Sequence, residues 1–93
     1  MVNKKILKIR NKLDKLDNLL LEVIKKRTIL VNQVIANKKF KKDIVDRKRI
    51  KIILKNIAKK SKKKKIDPLI TKKIWKSMIR AFIDYEFRNF KKK

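Results

Sequence analysis

The stretch LLLEVIKKRTILVNQVIANKK, residues 19–39, has the periodicity of one amphipathic α-helix. Apolar residues recur at alternating spacings of three and four from Ile6 to Val34, which predicts a first helix from about residue 4 to about residue 40. A helix of that length spans roughly 50 Å, more than the rest of so short a chain can cover. Its apolar stripe therefore needs a partner, and we expect an oligomer.

A second, shorter helix is predicted after a polar break at residues 43–46. Asp46 can cap it, and it is expected to end near Lys60. Its apolar face has the spacing of one helix side: Ile50, Ile53, Leu54 and Ile57. The stretch SKKKK, residues 61–65, is interpreted as a low-complexity lysine loop.

A third helix is predicted to begin at Pro68, with Asp67 as its N-cap, and to continue to about Phe90. Its apolar face would consist of Ile70, Ile74, Trp75, Met78, Ile79, Phe82 and Ile83. Neither a strand nor a glycine turn is evident in the sequence. The pattern therefore predicts an all-α fold of three helices, one long, one short and one medium, in a single domain over residues 1–93.

The composition excludes several classes of chemistry. The 93 residues include neither cysteine nor histidine, so no disulfide or thiolate chemistry is available, and a zinc site would need carboxylates alone. We expect no metal and no cofactor. No apolar run approaches the roughly 20 residues of a membrane span, and the N-terminus lacks the apolar region of a signal peptide. We therefore expect a cytoplasmic protein that does not contact a membrane.

The charge balance is strongly basic, with 32 lysines and arginines against 8 acidic residues and a net charge of +24. Such a charge is typical of proteins that bind nucleic acid or another polyanion. Most of these cations are lysines, however, and a lysine-rich composition can reflect the nucleotide bias of a genome. The few aromatic residues form no interleaved stacking platform. A basic helical protein that binds nucleic acid is thus an alternative, but nucleic acid is not the expected partner.

One cation interrupts the apolar stripe of the first helix. Arg27 has Val23, Leu30 and Val34 around it, and Lys38, 11 residues further on, would project from the same helix face. A guanidinium without an anionic partner is costly to bury, so a bound anion could supply the charge. The alternatives are that Arg27 extends to the edge of the stripe or pairs with an acid from another helix.

An acidic residue interrupts the apolar face of the third helix in the same way. Glu86 follows Trp75 by 11 residues, Ile79 by seven and Phe82 by four, so all four share one face. Glu86 could be a solvated carboxylate at the helix end, paired with Arg88 or a lysine. The alternative is a desolvated acid that faces a polar ligand.

Six blocks follow one another along the chain: Arg10; LDKLDNLLLEVIKKR, which ends at Arg27; Lys38, after LVNQVIAN; DRKR at 46–49; IDP at 66–68; and IWKSMIRAFIDYE at 74–86. In order and spacing they resemble the all-helical class of chorismate mutase. The spacings of 17 residues from Arg10 to Arg27, 11 from Arg27 to Lys38 and 18 from Arg49 to Asp67 fit that family without gaps. The resemblance covers residues 6–90.

The resemblance implies an isomerase that converts chorismate to prephenate in the shikimate pathway of aromatic amino acid biosynthesis. The substrate would be a small-molecule dicarboxylate, bound without a cofactor. The family forms an intertwined helical homodimer. The positions that match Arg27 and Arg49 hold the carboxylates of the substrate, and Arg10 does so from the other subunit. The position of Lys38 reaches the ether oxygen, and that of Glu86 donates a second hydrogen bond to it. The position of Asp46 assists with the ring hydroxyl.

Two positions depart from the family pattern. The residue after Arg49 is usually a glutamate that accepts from the substrate hydroxyl, and here it is Ile50. A small polar residue common in the third helix is replaced by Phe82. The related isochorismate pyruvate lyases share the fold and the cations, and bulky residues occur in their third helix. Isochorismate pyruvate lyase is therefore the nearest alternative activity.

Overall fold

The computed structural model describes residues 3–91, which form three α-helices and one short 3₁₀ turn with no strand in that range. The helices are α1 (Lys4–Asn37), α2 (Arg47–Lys63) and α3 (Pro68–Asn89), and the 3₁₀ turn is Lys41–Asp43. The prediction of an all-α fold with one long, one short and one medium helix is confirmed. Within the described residues, no helix combines the length and apolarity that crossing a membrane requires.

The helix starts follow from local capping. The side chain of Asn3 accepts from the N–H of Lys5 at the start of α1. Asp46 Oδ1 accepts from the N–H of Arg49 at 3.0 Å, and Asp67 Oδ1 accepts from that of Leu69 at 2.9 Å. These bonds satisfy N–H groups that have no partner within the first helical turn. The sequence placed the Asp46 and Asp67 caps correctly.

Two predicted helix ends were wrong. Helix α1 ends at Asn37 rather than near residue 40, because the chain turns there through a tighter bond from Lys38 N–H to Ile35 C=O. Helix α2 continues to Lys63 rather than ending near Lys60, so the first half of the expected lysine loop is helical. Ser61 accounts for the second difference, because its buried hydroxyl bonds across to the next helix.

The chain divides into two compact units, of which the first ends at Leu30 and the second begins at Val31. The first unit is helical from Lys4 onward, and none of its described side chains is buried. Its apolar stripe is exposed: Leu13 is 53% exposed, Leu16 is 59% and Val23 is 58%. An isolated helix of this kind gains little from burial and depends on packing for its stability.

The second unit contains the last turns of α1, the 3₁₀ turn, and α2 packed against α3. The predicted apolar face of α2 is half-buried throughout. On α3 the half-buried face runs from Trp75 to Ile83, whereas Ile70 and Ile74, also predicted for this face, are exposed. The covered apolar face of α3 is therefore shorter than its periodicity indicates, because the residue buried in the first turn is Thr71 and not Ile70.

A buried hydroxyl pair joins α2 to α3. Ser61 Oγ donates to Ile57 C=O at 2.6 Å and lies 2.7 Å from Thr71 Oγ1. Either hydroxyl can be the donor of this bond, and Thr71 Oγ1 also lies 3.3 Å from Pro68 C=O. Ser61 is 3% exposed and Thr71 is 8% exposed, so the bond is shielded from water. It holds the last turn of α2 against the first turn of α3.

The C-terminus of α2 contains a residue in the left-handed conformation. Lys65 has φ 57°, its N–H donates to Lys62 C=O, and the N–H of Ile66 donates to Ser61 C=O. This is the pattern of a Schellman C-cap, in which glycine is the usual residue at the left-handed position. The sequence contains no glycine, so a lysine adopts a conformation that is unfavourable for a residue with a Cβ atom.

We predict that Lys65→Gly raises the free energy of unfolding by about 1 kcal/mol, because glycine adopts positive φ without a steric cost. Urea unfolding followed by circular dichroism measures the change. The matched control is Lys64→Gly, at φ −87°, where glycine gains no such advantage and loses more entropy on folding. If the two variants changed stability equally, the left-handed strain at Lys65 would not be the cause.

Candidate functional site

The main polar contact of the second unit joins the end of α1 to the last turns of α3. Lys38 follows the last residue of α1, and its Nζ lies 3.4 Å from Glu86 Oε1. Both side chains are shielded, with 21% of Lys38 and 10% of Glu86 exposed. A charge pair interacts more strongly there than at a fully solvated surface. Because Glu86 is buried on α3, the alternative of a solvated helix-end carboxylate does not fit.

Lys38 differs from every other lysine in the described part of the chain. Among residues 3–91, it is the one lysine whose side chain is not exposed. A composition rich in lysine explains the presence of many lysines at the surface, but it does not explain an ammonium placed among partly buried groups. The environment of Lys38 therefore distinguishes it from the lysines that nucleotide bias can account for.

A second oxygen contacts the same ammonium. Lys38 Nζ donates to the backbone C=O of Ile44 at 3.3 Å, within the segment that joins α1 to α2. An ammonium has three N–H donors, and the contacts to Ile44 and Glu86 occupy two of them. Both distances exceed the 2.7–2.9 Å that is usual for a bond from a charged donor to an anionic oxygen. The ammonium is thus directed by two acceptors without being held tightly by either.

A hydrogen bond one residue before Glu86 also joins α3 to α1. Tyr85 Oη donates to Asn32 Oδ1 at 2.7 Å, and the Tyr85 ring meets the edge of the Phe82 ring at a centroid distance of 6.5 Å. Asn32 belongs to the part of α1 that lies in the second unit. This bond holds the turn of α3 that carries Glu86 close to the end of α1.

Asp46 and Arg49 meet at the start of α2. The carboxylate of Asp46 accepts from the backbone N–H of Arg49, while the Arg49 side chain is exposed. The N-terminus of a helix carries a partial positive charge, which adds to that of the guanidinium and favours an anion. The next residue, Ile50, is half-buried and offers no hydrogen-bonding group in place of the family's glutamate.

Arg10 and Arg27 lie in the first unit, on the same helix. They are 17 residues apart, which corresponds to about 25 Å along the helix axis and about 100° around it. Arg10 is exposed, and Arg27 is half-buried. The structure therefore brings together Lys38 with Glu86, and Asp46 with Arg49, but it keeps Arg10 and Arg27 well separated along α1.

The site's chemistry is that of hydrogen-bond donors and cations. Within residues 3–91, no cluster of acidic side chains is suited to holding a metal ion. An ammonium and a protonated carboxyl can both donate to a ligand oxygen, and a guanidinium can bind a carboxylate through two parallel bonds. This set of groups can orient an anionic ligand and stabilise negative charge on it.

Sequence reasoning missed the contributions of Ile44 and Tyr85. Ile44 lies within what was interpreted as a polar break, yet it is 3% exposed. The sequence did contain a signal that Ile44 is buried, because an isolated apolar pair at residues 44–45 lies between charged residues. For Tyr85 no such signal existed, since its partner Asn32 is 53 residues away and resembles any other polar residue of α1.

The family model of chorismate mutase type II matches residues 9–87 of the chain. The match covers most of the sequence and extends across both units. Among curated proteins and among solved structures, nothing matches this chain. The family is thus shown by one match that includes every position of the candidate site.

Proposed function

We propose that this chain, which belongs to the chorismate mutase type II family, rearranges chorismate to prephenate by holding the substrate in its reactive shape and stabilising the charge that develops on it. The domain is that of an isomerase, a chorismate mutase. The mechanism and the roles of individual residues are the proposal.

The reaction is an intramolecular pericyclic rearrangement, so it requires no nucleophile and no redox group. What it needs from a protein is a compact conformation of a flexible dianion, with the two reacting ends in contact. As the ether bond breaks, negative charge develops on its oxygen, and donors fixed beforehand stabilise it. A chain without cysteine or histidine can meet both needs.

The observation that carries the proposal is the contact between Lys38 and Glu86 at 3.4 Å in a shielded position. In the family, the matching positions both donate to the ether oxygen. Two side chains 48 residues apart are therefore close enough to serve one ligand atom. Lys38 would supply a charged donor, and Glu86 would supply a second donor when it carries a proton.

The carboxylates of the substrate would be held by arginines. We assign Arg27 and Arg49 to this role, with Asp46 beside the ring hydroxyl, because these positions match those of the family. Arginine suits the task since its planar guanidinium binds a carboxylate through two bonds at once. The exposed side chain of Arg49 is accessible to such a ligand.

We further propose that the chain acts as a homodimer in which Arg10 serves the site of the partner subunit. Arg10 and Arg27 are about 25 Å apart on one helix and cannot bind the same small substrate. A twofold partner could bring the second copy of Arg10 to that substrate. The exposed apolar stripe of the first unit supplies a surface that a second copy could cover.

Isochorismate pyruvate lyase is the second candidate. The observation that favours it is Phe82, a half-buried aromatic residue one turn before Glu86, where a small polar residue is common in the mutases. A bulky ring there narrows the space beside the proposed donor. The loss of the glutamate at position 50 removes an acceptor for the substrate hydroxyl, which would also weaken discrimination between the two substrates.

The proposal predicts saturable consumption of chorismate with formation of prephenate. The decrease in chorismate absorbance measures the rate, and separate assays of prephenate and pyruvate identify the product. The same assays with isochorismate test the lyase alternative. Pyruvate without prephenate would favour the lyase, and the absence of turnover with both substrates would reject both candidates.

We predict that Lys38→Ala and Arg27→Ala each lower kcat/KM by about 100-fold or more, because each removes a contact to the reacting dianion. Lys62→Ala, at an exposed position on α2, is the control and should leave kcat/KM unchanged. Circular dichroism checks that helical content survives. Full activity of folded Lys38→Ala would show that this ammonium has no catalytic role.

The role of Glu86 as a donor can be tested by substitution. An ether oxygen only accepts hydrogen bonds, and an ionised carboxylate also only accepts, so Glu86 can contribute a bond only in its protonated form. Glu86→Gln always carries N–H donors and should retain or raise kcat/KM, whereas Glu86→Ala should lower kcat/KM by about 100-fold or more. A folded Glu86→Ala protein with the activity of the parent would remove Glu86 from the reaction.

The shared site predicts complementation between two inactive variants. Arg10→Ala and Arg27→Ala should each be nearly inactive alone. When they are unfolded and refolded together, half of the dimers are mixed and each mixed dimer has one intact site, so about a quarter of the parent activity should return. Subunit exchange is followed with tagged chains. Exchange without any recovery of activity would argue against a site built from two subunits.

A further inference from the structure

The segment that joins α1 to α2, residues 38–46, contacts α3 at two points. Lys38 forms the ion pair with Glu86, and the ammonium of Lys41 lies 5.9 Å from the centre of the Phe87 ring. Glu86 and Phe87 are neighbours on α3. The segment is therefore held along one turn of that helix, although most of its own side chains are exposed.

Ile44 is the buried residue of this segment. Its side chain is 3% exposed, while residues 39–43 and 45–46 are all exposed. Its N–H donates to Lys41 C=O at 3.2 Å, which closes the 3₁₀ turn. Burial of the side chain and this backbone bond together restrict where the Ile44 carbonyl can point.

That carbonyl is one of the two acceptors for the Lys38 ammonium. The bond of 3.3 Å to Ile44 C=O matches the 3.4 Å to Glu86 in length, but the two acceptors differ in charge. A carboxylate attracts the ammonium and cancels its charge, whereas a carbonyl is a neutral dipole. The carbonyl can therefore hold the end of a long, flexible side chain without adding a negative charge that would compete with an anionic ligand.

We infer that Ile44 is a positioning residue for the reaction. Its buried side chain fixes its backbone carbonyl, and that carbonyl orients the Lys38 ammonium. The third N–H of the ammonium then remains for the substrate oxygen on which negative charge develops. The inference rests on the proposed function for its catalytic consequence. The coupling between Ile44 and Lys38 itself depends only on the contacts within the second unit.

Shortening Ile44 should therefore affect turnover more than substrate binding. In Ile44→Ala the carbonyl loses its anchor, Lys38 is misdirected, and kcat should fall about tenfold or more, with a smaller change in KM. Ile44→Val keeps the β-branch and most of the buried volume, so it should retain most of kcat. Val45→Ala, at the exposed neighbouring position, is the matched control and should leave kcat unchanged.

A double-mutant cycle separates positioning from general destabilisation. If Ile44 acts through Lys38, then Ile44→Ala should have little further effect on kcat in a Lys38→Ala background. An equal loss of kcat in both backgrounds would overturn the inference. Urea unfolding of all four proteins shows whether each is folded under the conditions of the assay.

Chemical labelling tests the coupling without any substrate. Reductive methylation, mapped by peptide mass spectrometry, should modify Lys38 more slowly than the exposed Lys39 in the parent. In Ile44→Ala the rate at Lys38 should approach that at Lys39. Ile44→Val, which removes one methylene, should raise the Lys38 rate to a lesser degree and provides the test if Ile44→Ala does not fold.

The outcomes distinguish the two proposals. In one outcome, Lys38 is labelled slowly in the parent and faster in Ile44→Ala, but the protein turns over neither chorismate nor isochorismate. That result would support the coupling between Ile44 and Lys38 and reject the proposed function. In the opposite outcome, turnover depends on Lys38, but the labelling rate of Lys38 is the same in the parent and in both Ile44 variants. That result would support the proposed function and overturn the inference about Ile44.

Discussion

The contact between Lys38 and Glu86 is the interaction on which the candidate site in the second unit depends. Removing a charge pair from water costs desolvation energy, which close contact between the charges and further hydrogen bonds must offset. At 3.4 Å the contact between Lys38 and Glu86 is too long to do this alone. The surroundings consist of the Ile44 carbonyl on the ammonium and the bond between Tyr85 and Asn32 beside the carboxylate. The bond between Tyr85 and Asn32 joins α3 to α1, and the bond between Lys38 and Ile44 lies within the segment that follows α1. The end of α1 and the last turns of α3 are thus held together by polar groups that also suit an anionic ligand.

The scarcity of buried apolar side chains limits what such a chain can do alone. Within residues 3–91 the buried residues are Ile35, Ile44, Ser61, Thr71 and Glu86, and three of these five are polar. Polar contacts specify a geometry, but each contributes little net stability once the loss of water contacts is counted. The apolar surface that could add stability is on α1 and is exposed. A dimer that covers this stripe would, under the proposal, supply both the missing core and the missing arginine.

The composition shapes the structure in ways that the net charge of +24 does not reveal. With no glycine available, a lysine occupies the left-handed position after α2, and with lysine so abundant, most ammonium groups are at the surface. A basic surface can raise the rate of encounter with a dianion, although it does not by itself define a site. What distinguishes the candidate site is the partial burial of one lysine beside a buried glutamate. Environment, rather than residue type, separates Lys38 from the other lysines.

The sequence alone determined the features that depend on local chemistry. Helical periodicity, the caps at Asp46 and Asp67, and the spacing of the family's motifs are all set by residues close together in the chain. The all-α fold and the family could therefore be predicted, and residues for a candidate site could be proposed. Only the tertiary structure decided where α2 ends, because Ser61 remains helical while bonded to Thr71 across the turn. It also decided that Glu86 is buried against Lys38 and that Ile44 is enclosed within a polar segment. These features arise from contacts between residues distant in the chain or from burial by other elements, and no local pattern encodes them.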